Sequence, residues 1–354
     1  MGLPKDSGLK LFAKWPSGPK NLITDVPGVR VGQVTLKDEE QDIHTGVTAI
    51  IPHEGDIFHD KLMAGVSVIN GFGKSAGLVQ IEELGSLETP IILTNTLNVG
   101  TAYEALTEYM LEKNSDIGRE TGTVNCVITE CNDGRVNDIR GMHVKKEHVR
   151  KALSEASEAF SEGCTGAGTG MVCLGLKGGI GSASKQLKID GESYTIGALV
   201  MSNFGSAGNL VIGGKHYDTS VYCNKLKDEG SIIIIIGTDI PLNERQLKRT
   251  AKRAMIALGR VGSYSGNGSG DIALAFTTAN RLSHYSDKNI LETRMFYDEN
   301  IDLVFEAAVE AVEEAIISSL YHAETTCGID GSYYMGLRDF VRKYGDGLGD
   351  KVLS

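Results

Sequence analysis

The chain has 354 residues, of which 41% are apolar and 23% charged, ordinary values for a globular protein with a sizeable buried core. Its net charge of −11 excludes a general nucleic-acid-binding surface, which needs a basic field that releases counterions. The six cysteines (Cys126, Cys131, Cys164, Cys173, Cys223, Cys327) show neither C-x-x-C pairs nor zinc-ligand spacing, so they read as reduced thiols of a cytoplasmic protein.

The N-terminal stretch MGLPKDSGLKLFAKWPSG lacks the apolar core of a signal peptide, and no segment of the chain approaches membrane-spanning length. Six of the seven prolines fall in the first 90 residues, and glycines cluster near 65–77, 163–181 and 261–270, marking loops. PIILT at 90–94 is a short apolar run that predicts a buried strand, and amphipathic helices follow at 101–113 and at 145–162, the latter with Val149, Leu153, Ala156 and Phe160 on one side. TIGALVM at 195–201 and SIIIIIG at 231–237 predict strands buried on both faces. Over 243–258 the helical spacing of Leu247, Ala251, Ala254 and Leu258 makes the basic run LKRTAKR a solvated face, and a last long helix is predicted over 302–320. No internal domain boundary is signalled beyond a break in the glycine-rich 259–269 segment.

Several chemistries lack their motifs. No serine has the G-x-S-x-G surround of a nucleophile elbow, GESYT at 191–195 being the nearest miss. GFGKSAG at 71–77 and GAGTG at 166–170 match neither phosphate-binding loop. The eight histidines are scattered without H-E-x-x-H, so no metal site is expected, and His53 and His59 read as surface residues.

The stretch GNGSGDIALAF, Gly266 to Phe276, is different. A serine hydroxyl is a poor nucleophile until a base takes its proton, and no base is evident nearby. Scission between Gly268 and Ser269 would create one, because the new α-amine has a reference pKa of about 7.7–8.0. Gly266, Gly268 and Gly270 let the backbone present that peptide bond, and the alternation from Asp271 onward predicts a strand that holds the serine rigidly. The same residues also make an ordinary turn between a helix and a strand.

The surrounding motifs resemble those of the DmpA-type aminopeptidases, the L-aminopeptidase/D-amidase-esterases that include β-peptidyl aminopeptidases. The likeness runs through ITDVPGVRVGQVTL (23–36), INGFGKSAGLVQIEELGSLETPIILTNTLNVG (69–100), ECNDGRVNDI (130–139), GAGTGMVCLGLKGGIGSASK (166–185), SNFG (202–205), GTDIPLNERQLKRTAKRA (237–254) and NGSGD (267–271). It implies a four-layer α/β/β/α sandwich of N-terminal-nucleophile-like type, an α+β fold in which one self-processing peptidase domain spans 1–354. It also implies self-cleavage into an α chain of 1–268 and a β chain of 269–354, with Ser269 as nucleophile. By the same resemblance the Asn203 side chain stabilises the oxyanion, Glu130 binds the substrate's ammonium group, Asn132 borders the substrate, and a β-chain carboxylate supports the nucleophile, Glu314 being chosen over Glu310 and Glu313. The implied substrates are short peptides, amino-acid amides or esters, with no cofactor and with assembly into tetramers of αβ units. Two alternatives share the resemblance: an ornithine acetyltransferase-like acyl transferase, and a non-processing homologue that only binds an amino-acid-like ligand.

Overall fold

Along the five isoleucines of SIIIIIG, Ile232, Ile234 and Ile236 enter one apolar core and Ile233 and Ile235 enter another, and all five are buried. Side chains alternate across a strand, so a strand apolar on both faces requires a covering layer on each side. The layers are those of the expected sandwich.

The computed structural model describes Ser7, residues 9–223 and residues 230–345. The strands of the two main sheets are β1 (Arg30–Asp38), β2 (Ile43–Ile51), β3 (Asp60–Gly71), the short β4 (Ser86–Leu87), β5 (Ile91–Asn95), β6 (Val127–Cys131), β7 (Gly179–Ile189), β8 (Glu192–Asn203), β9 (Ser231–Thr238) and β10 (Gly270–Ser283). The helices are α1 (Leu78–Leu84), α2 (Val99–Lys113), α3 (Lys146–Ser154), α4 (Glu244–Arg260), α5 (Asp302–His322) and α6 (Leu337–Tyr344).

One sheet has the order β1-β2-β5-β6 and the other β4-β3-β10-β9-β8-β7. Neighbours are antiparallel except β5 with β6 and β9 with β10. A parallel pair needs a crossover, and α2 and α4 supply the helices of these two. Helices α2 and α3 cover the outer face of the four-stranded sheet, and α4 and α5 cover that of the six-stranded sheet. Between the sheets lie Ile233, Ile235, Ile272, Leu274 and Phe276, while Ala273 and Ala275 face the α4–α5 layer. Small residues there let the helices approach the strands, as at Gly65 in β3, where a Cβ would lie 2.3 Å from the Lys248 backbone nitrogen.

The expected helix over 145–162 ends at Ser154. The edge of β1 captures the chain instead: Val31 N donates to Ser157 O at 2.9 Å and Ser157 N to Val31 O at 3.1 Å. Gly32 permits this contact, since a Cβ there would lie 1.8 Å from Ala152 O. Phe160 still packs on the core, from backbone outside any helix. The basic run on α4 is outside, as expected, but Arg253 also stacks on α5 with its guanidinium 4.1 Å from the Phe305 ring centre.

Candidate active site

Strand ends converge at one edge of the six-stranded sheet. Asn203, the last residue of β8, pairs with Ser231, the first of β9, which pairs with Gly270, the first of β10, which in turn faces Gly71 at the end of β3. With strands about 4.8 Å apart, Asn203 and Gly270 sit about 10 Å from each other across one row. Ser269 therefore just precedes its strand rather than beginning it.

Ser269 is fully buried, and its hydroxyl donates to Asp271 Oδ1 at 2.5 Å. The peptide before it is held in a closed turn, with Ser269 N donating to Gly266 O at 2.9 Å. Asn70 locks that turn from β3: its Nδ2 donates to Gly266 O at 2.7 Å and to Ser269 O at 2.6 Å. Phe72 N donates to Ser269 O as well, at 3.2 Å, and Gly270 N donates to Gly230 O. Gly270 has to be glycine because a Cβ there would lie 2.9 Å from the Cα of Gly73. A register shift between Asp271 and Ile272 against β3 re-aims Asp271 away from a regular ladder.

The Gly73 crossing brings in the second sheet. A Cβ at Gly73 would lie 3.6 Å from Glu130 Oε1 and 3.7 Å from the Cα of Gly270. Glu130, penultimate in β6 and only 2% exposed, accepts from Lys74 N at 2.7 Å and from the Thr96 hydroxyl. Among the described residues no lysine, arginine or histidine lies within ion-pair distance of it. A desolvated carboxylate with spare acceptor capacity is suited to an ammonium group. Glu130 and Asp271 reach the same region between the sheets: burial pushes the Cys131 thiol well above its ordinary value, and the two carboxylates, Glu130 more than Asp271, raise it further.

Asn203 is buried, with Oδ1 accepting from Val172 N at 2.9 Å and Nδ2 donating to Asn132 O at 3.0 Å. Both asparagines line a cavity of about 320 Å³ with Gly134, Arg135, Phe204 and Gly230. Gly230 is also the acceptor for Gly270 N, so the cavity borders the Ser269 turn. Asn132 is exposed and its Oδ1 accepts from Gly134 N. Next to it Asp133 is fully buried, and burial raises its carboxyl to about 7.

The structure thus gathers Ser269, Gly268, Glu130, Asn203 and Asn132 at one edge of the two sheets, and leaves Glu314 elsewhere. The Glu314 carboxylate, on α5, accepts from Nζ of Lys185, on the far strand β7, at 2.5 Å and from Asn21 Nδ2 at 2.6 Å. Lys185 pairs through Ile196 and Thr238 with Thr277, seven residues along β10 from Gly270. Glu310 binds the backbone N–H groups of Lys14 and Trp15, and Glu313 pairs with Arg260. Helical spacing makes all three carboxylates look alike, whereas the partners that separate them come from distant segments. The carboxylate that touches the serine is Asp271, two residues along, where strand alternation puts side chains on one side. Asn70, Thr96 and Arg135 have no sequence signal beyond lying within the shared motifs.

Comparison with known proteins gives a consistent result. Residues 21–334 match the model of peptidase family S58. The β-peptidyl aminopeptidase BapA of Sphingosinicella microcystinivorans is 36% identical, over 96% of this chain and 92% of its own. Among solved structures, the PH0078 protein of Pyrococcus horikoshii OT3 superposes with a TM-score of 0.90 at 50% identity, covering 96% of this chain and 99% of its own. The L-aminopeptidase D-Ala-esterase/amidase of Ochrobactrum anthropi, described as a variant of the Ntn hydrolase fold, superposes at 0.87 with 36% identity, covering 96% and 98%.

Proposed function

Because the chain belongs to peptidase family S58 and is a hydrolase of the aminopeptidase class, we propose that it cuts itself between Gly268 and Ser269 and then uses Ser269 as its nucleophile. The observation that carries this reading is the buried serine bonded to Asp271 while Asn70 clamps the turn in front of it.

In the first stage Asp271 takes the Ser269 hydroxyl proton, and Oγ attacks the Gly268 carbonyl carbon. The bond from that carbon to Ser269 N breaks and the nitrogen takes up a proton. Water then hydrolyses the resulting ester, leaving a Gly268 carboxylate and a free Ser269 amine. In the second stage that amine, whose reference pKa is about 7.7–8.0, takes the hydroxyl proton as Oγ attacks a substrate. Glu130 holds the substrate's ammonium group beside the bond to be cut. The Asn203 amide has two N–H donors, of which one already binds Asn132 O, and the other serves the oxyanion. Departure of the amine or alcohol leaves an acyl-enzyme, which water hydrolyses.

Substrates are short peptides, amides or esters with a free amino group. The chain acts in the cytoplasm, consistent with its free cysteines, and assembles as tetramers of cleaved pairs. Exposed Val68 on β3 and Phe72 just after it, with Val79 and Leu84 on α1, support such assembly.

Ser269→Ala tests the mechanism. The variant should remain one chain and lose at least about 10³-fold in hydrolysis of amino-acid amides, with unchanged circular dichroism. Turnover near the wild-type level would contradict it.

A further inference from the structure

Arg135 sits in the wall of the cavity that holds Asn132 and Asn203. Its backbone is pinned on both sides. Val136 N and Asn137 N both donate to Asp133 O, at 3.0 and 2.9 Å, while Arg135 O accepts from Ile329 N at 3.2 Å. The guanidinium has no such fixed partner: among the described residues, no carboxylate forms an ion pair with it. Its charge is felt by Asp330, but that carboxylate is occupied by Ser332 N and Ser332 Oγ, each at 2.9 Å.

In a protein with net charge −11, an arginine without an ion-pair partner at the wall of a small polar cavity is conspicuous. A guanidinium offers a rigid fork of N–H donors that matches a carboxylate. The cavity, at about 320 Å³, has the volume of a small-ligand site. We propose that Arg135 recognises a carboxylate on the substrate close to the bond being cut. That carboxylate is either the C-terminus of a dipeptide or the acidic side chain of the first residue. The assignment rests on the aminopeptidase reading above and adds the substrate class to it. One charge-assisted contact of this kind corresponds to about ten- to hundredfold in kcat/KM.

The test compares wild type with Arg135→Gln on two matched pairs: alanyl-alanine against alanyl-alaninamide, and aspartic acid α-amide against asparagine α-amide. Wild type should favour the acid in at least one pair by tenfold or more, and the ratio should fall close to one in Arg135→Gln. A preference in the first pair identifies the C-terminal carboxylate, and in the second the side chain. Cleavage of all four compounds without an acid preference, or a preference that survives the substitution, overturns the role of Arg135 while leaving the aminopeptidase reading intact. If none is cleaved, calorimetric titration of the same four compounds decides. Tighter binding of an acid that depends on Arg135 supports the carboxylate site and counts against the peptidase, whereas no such binding overturns both.

Discussion

Asn203 has two duties that one substitution separates. Its side-chain oxygen holds Val172 N in place, and its amide nitrogen is the donor assigned to the oxyanion. Asn203→Asp keeps an acceptor for Val172 but removes both N–H donors. It should lower kcat by about 10²–10³ with KM changed far less, as loss of an oxyanion donor does. Steady-state kinetics on an amino-acid amide check this, and a kcat within threefold of wild type would remove Asn203 from the oxyanion site. At this scale the sequence is informative where a polar residue closes an apolar strand run, as Asn203 and Glu130 do. It does not reveal Asn70, whose partners Gly266 and Ser269 come from a segment distant in the chain, nor that Asp271, though only two residues along, takes the serine hydroxyl.

At the scale of elements, α5 shows why a helical pattern alone misleads. By helical spacing Glu310, Glu313 and Glu314 look alike, yet all three are buried, and each binds a group from another segment. For Glu314 that group is Lys185, whose side chain is 1% exposed. Glu314→Ala strands a buried ammonium and should cost about 3–5 kcal/mol of stability, with the kcat of the folded enzyme little changed. Urea unfolding alongside turnover measures both, and a large fall in kcat at unchanged stability would restore a catalytic role. Strands fared better than helices because a run such as SIIIIIG has only one way to be buried on both faces. The end of α3 was illegible because a sheet edge, rather than a helix stop signal, terminates it.

On the scale of the whole molecule, the proposed cut divides the chain across the middle of a sheet, between β9 and β10, so noncovalent contacts have to hold the halves together. One such contact is a polar clamp away from the site. His59 hydrogen-bonds with Asp56 at 2.7 Å and Asp116 at 2.8 Å, and Tyr285 from beyond the cut also donates to Asp116, at 2.7 Å. The Asp116 hydrogen bond, and then that of Asp56, raise the imidazole above its ordinary 6.5, and Asp116 is drawn down to about 2. A raised native pKa stabilises the fold fully below 6.5 and loses that contribution as pH rises through the native value. The melting temperature of wild type should therefore exceed that of His59→Gln most below pH 6.5, with the gap narrowing toward pH 9; a gap independent of pH would show that His59 charge plays no part. The sequence marks His59 only as a surface histidine, since Asp116 and Tyr285 are brought together with it by folding. The layered architecture, by contrast, was legible through the resemblance and through the alternation of strand and helix patterns.

The most direct measurement is the intact mass of the purified protein under denaturing conditions. Two chains corresponding to residues 1–268 and 269–354, the second beginning with a free Ser269 amine, are the expected result. A single stable species of 37.9 kDa would contradict the N-terminal nucleophile.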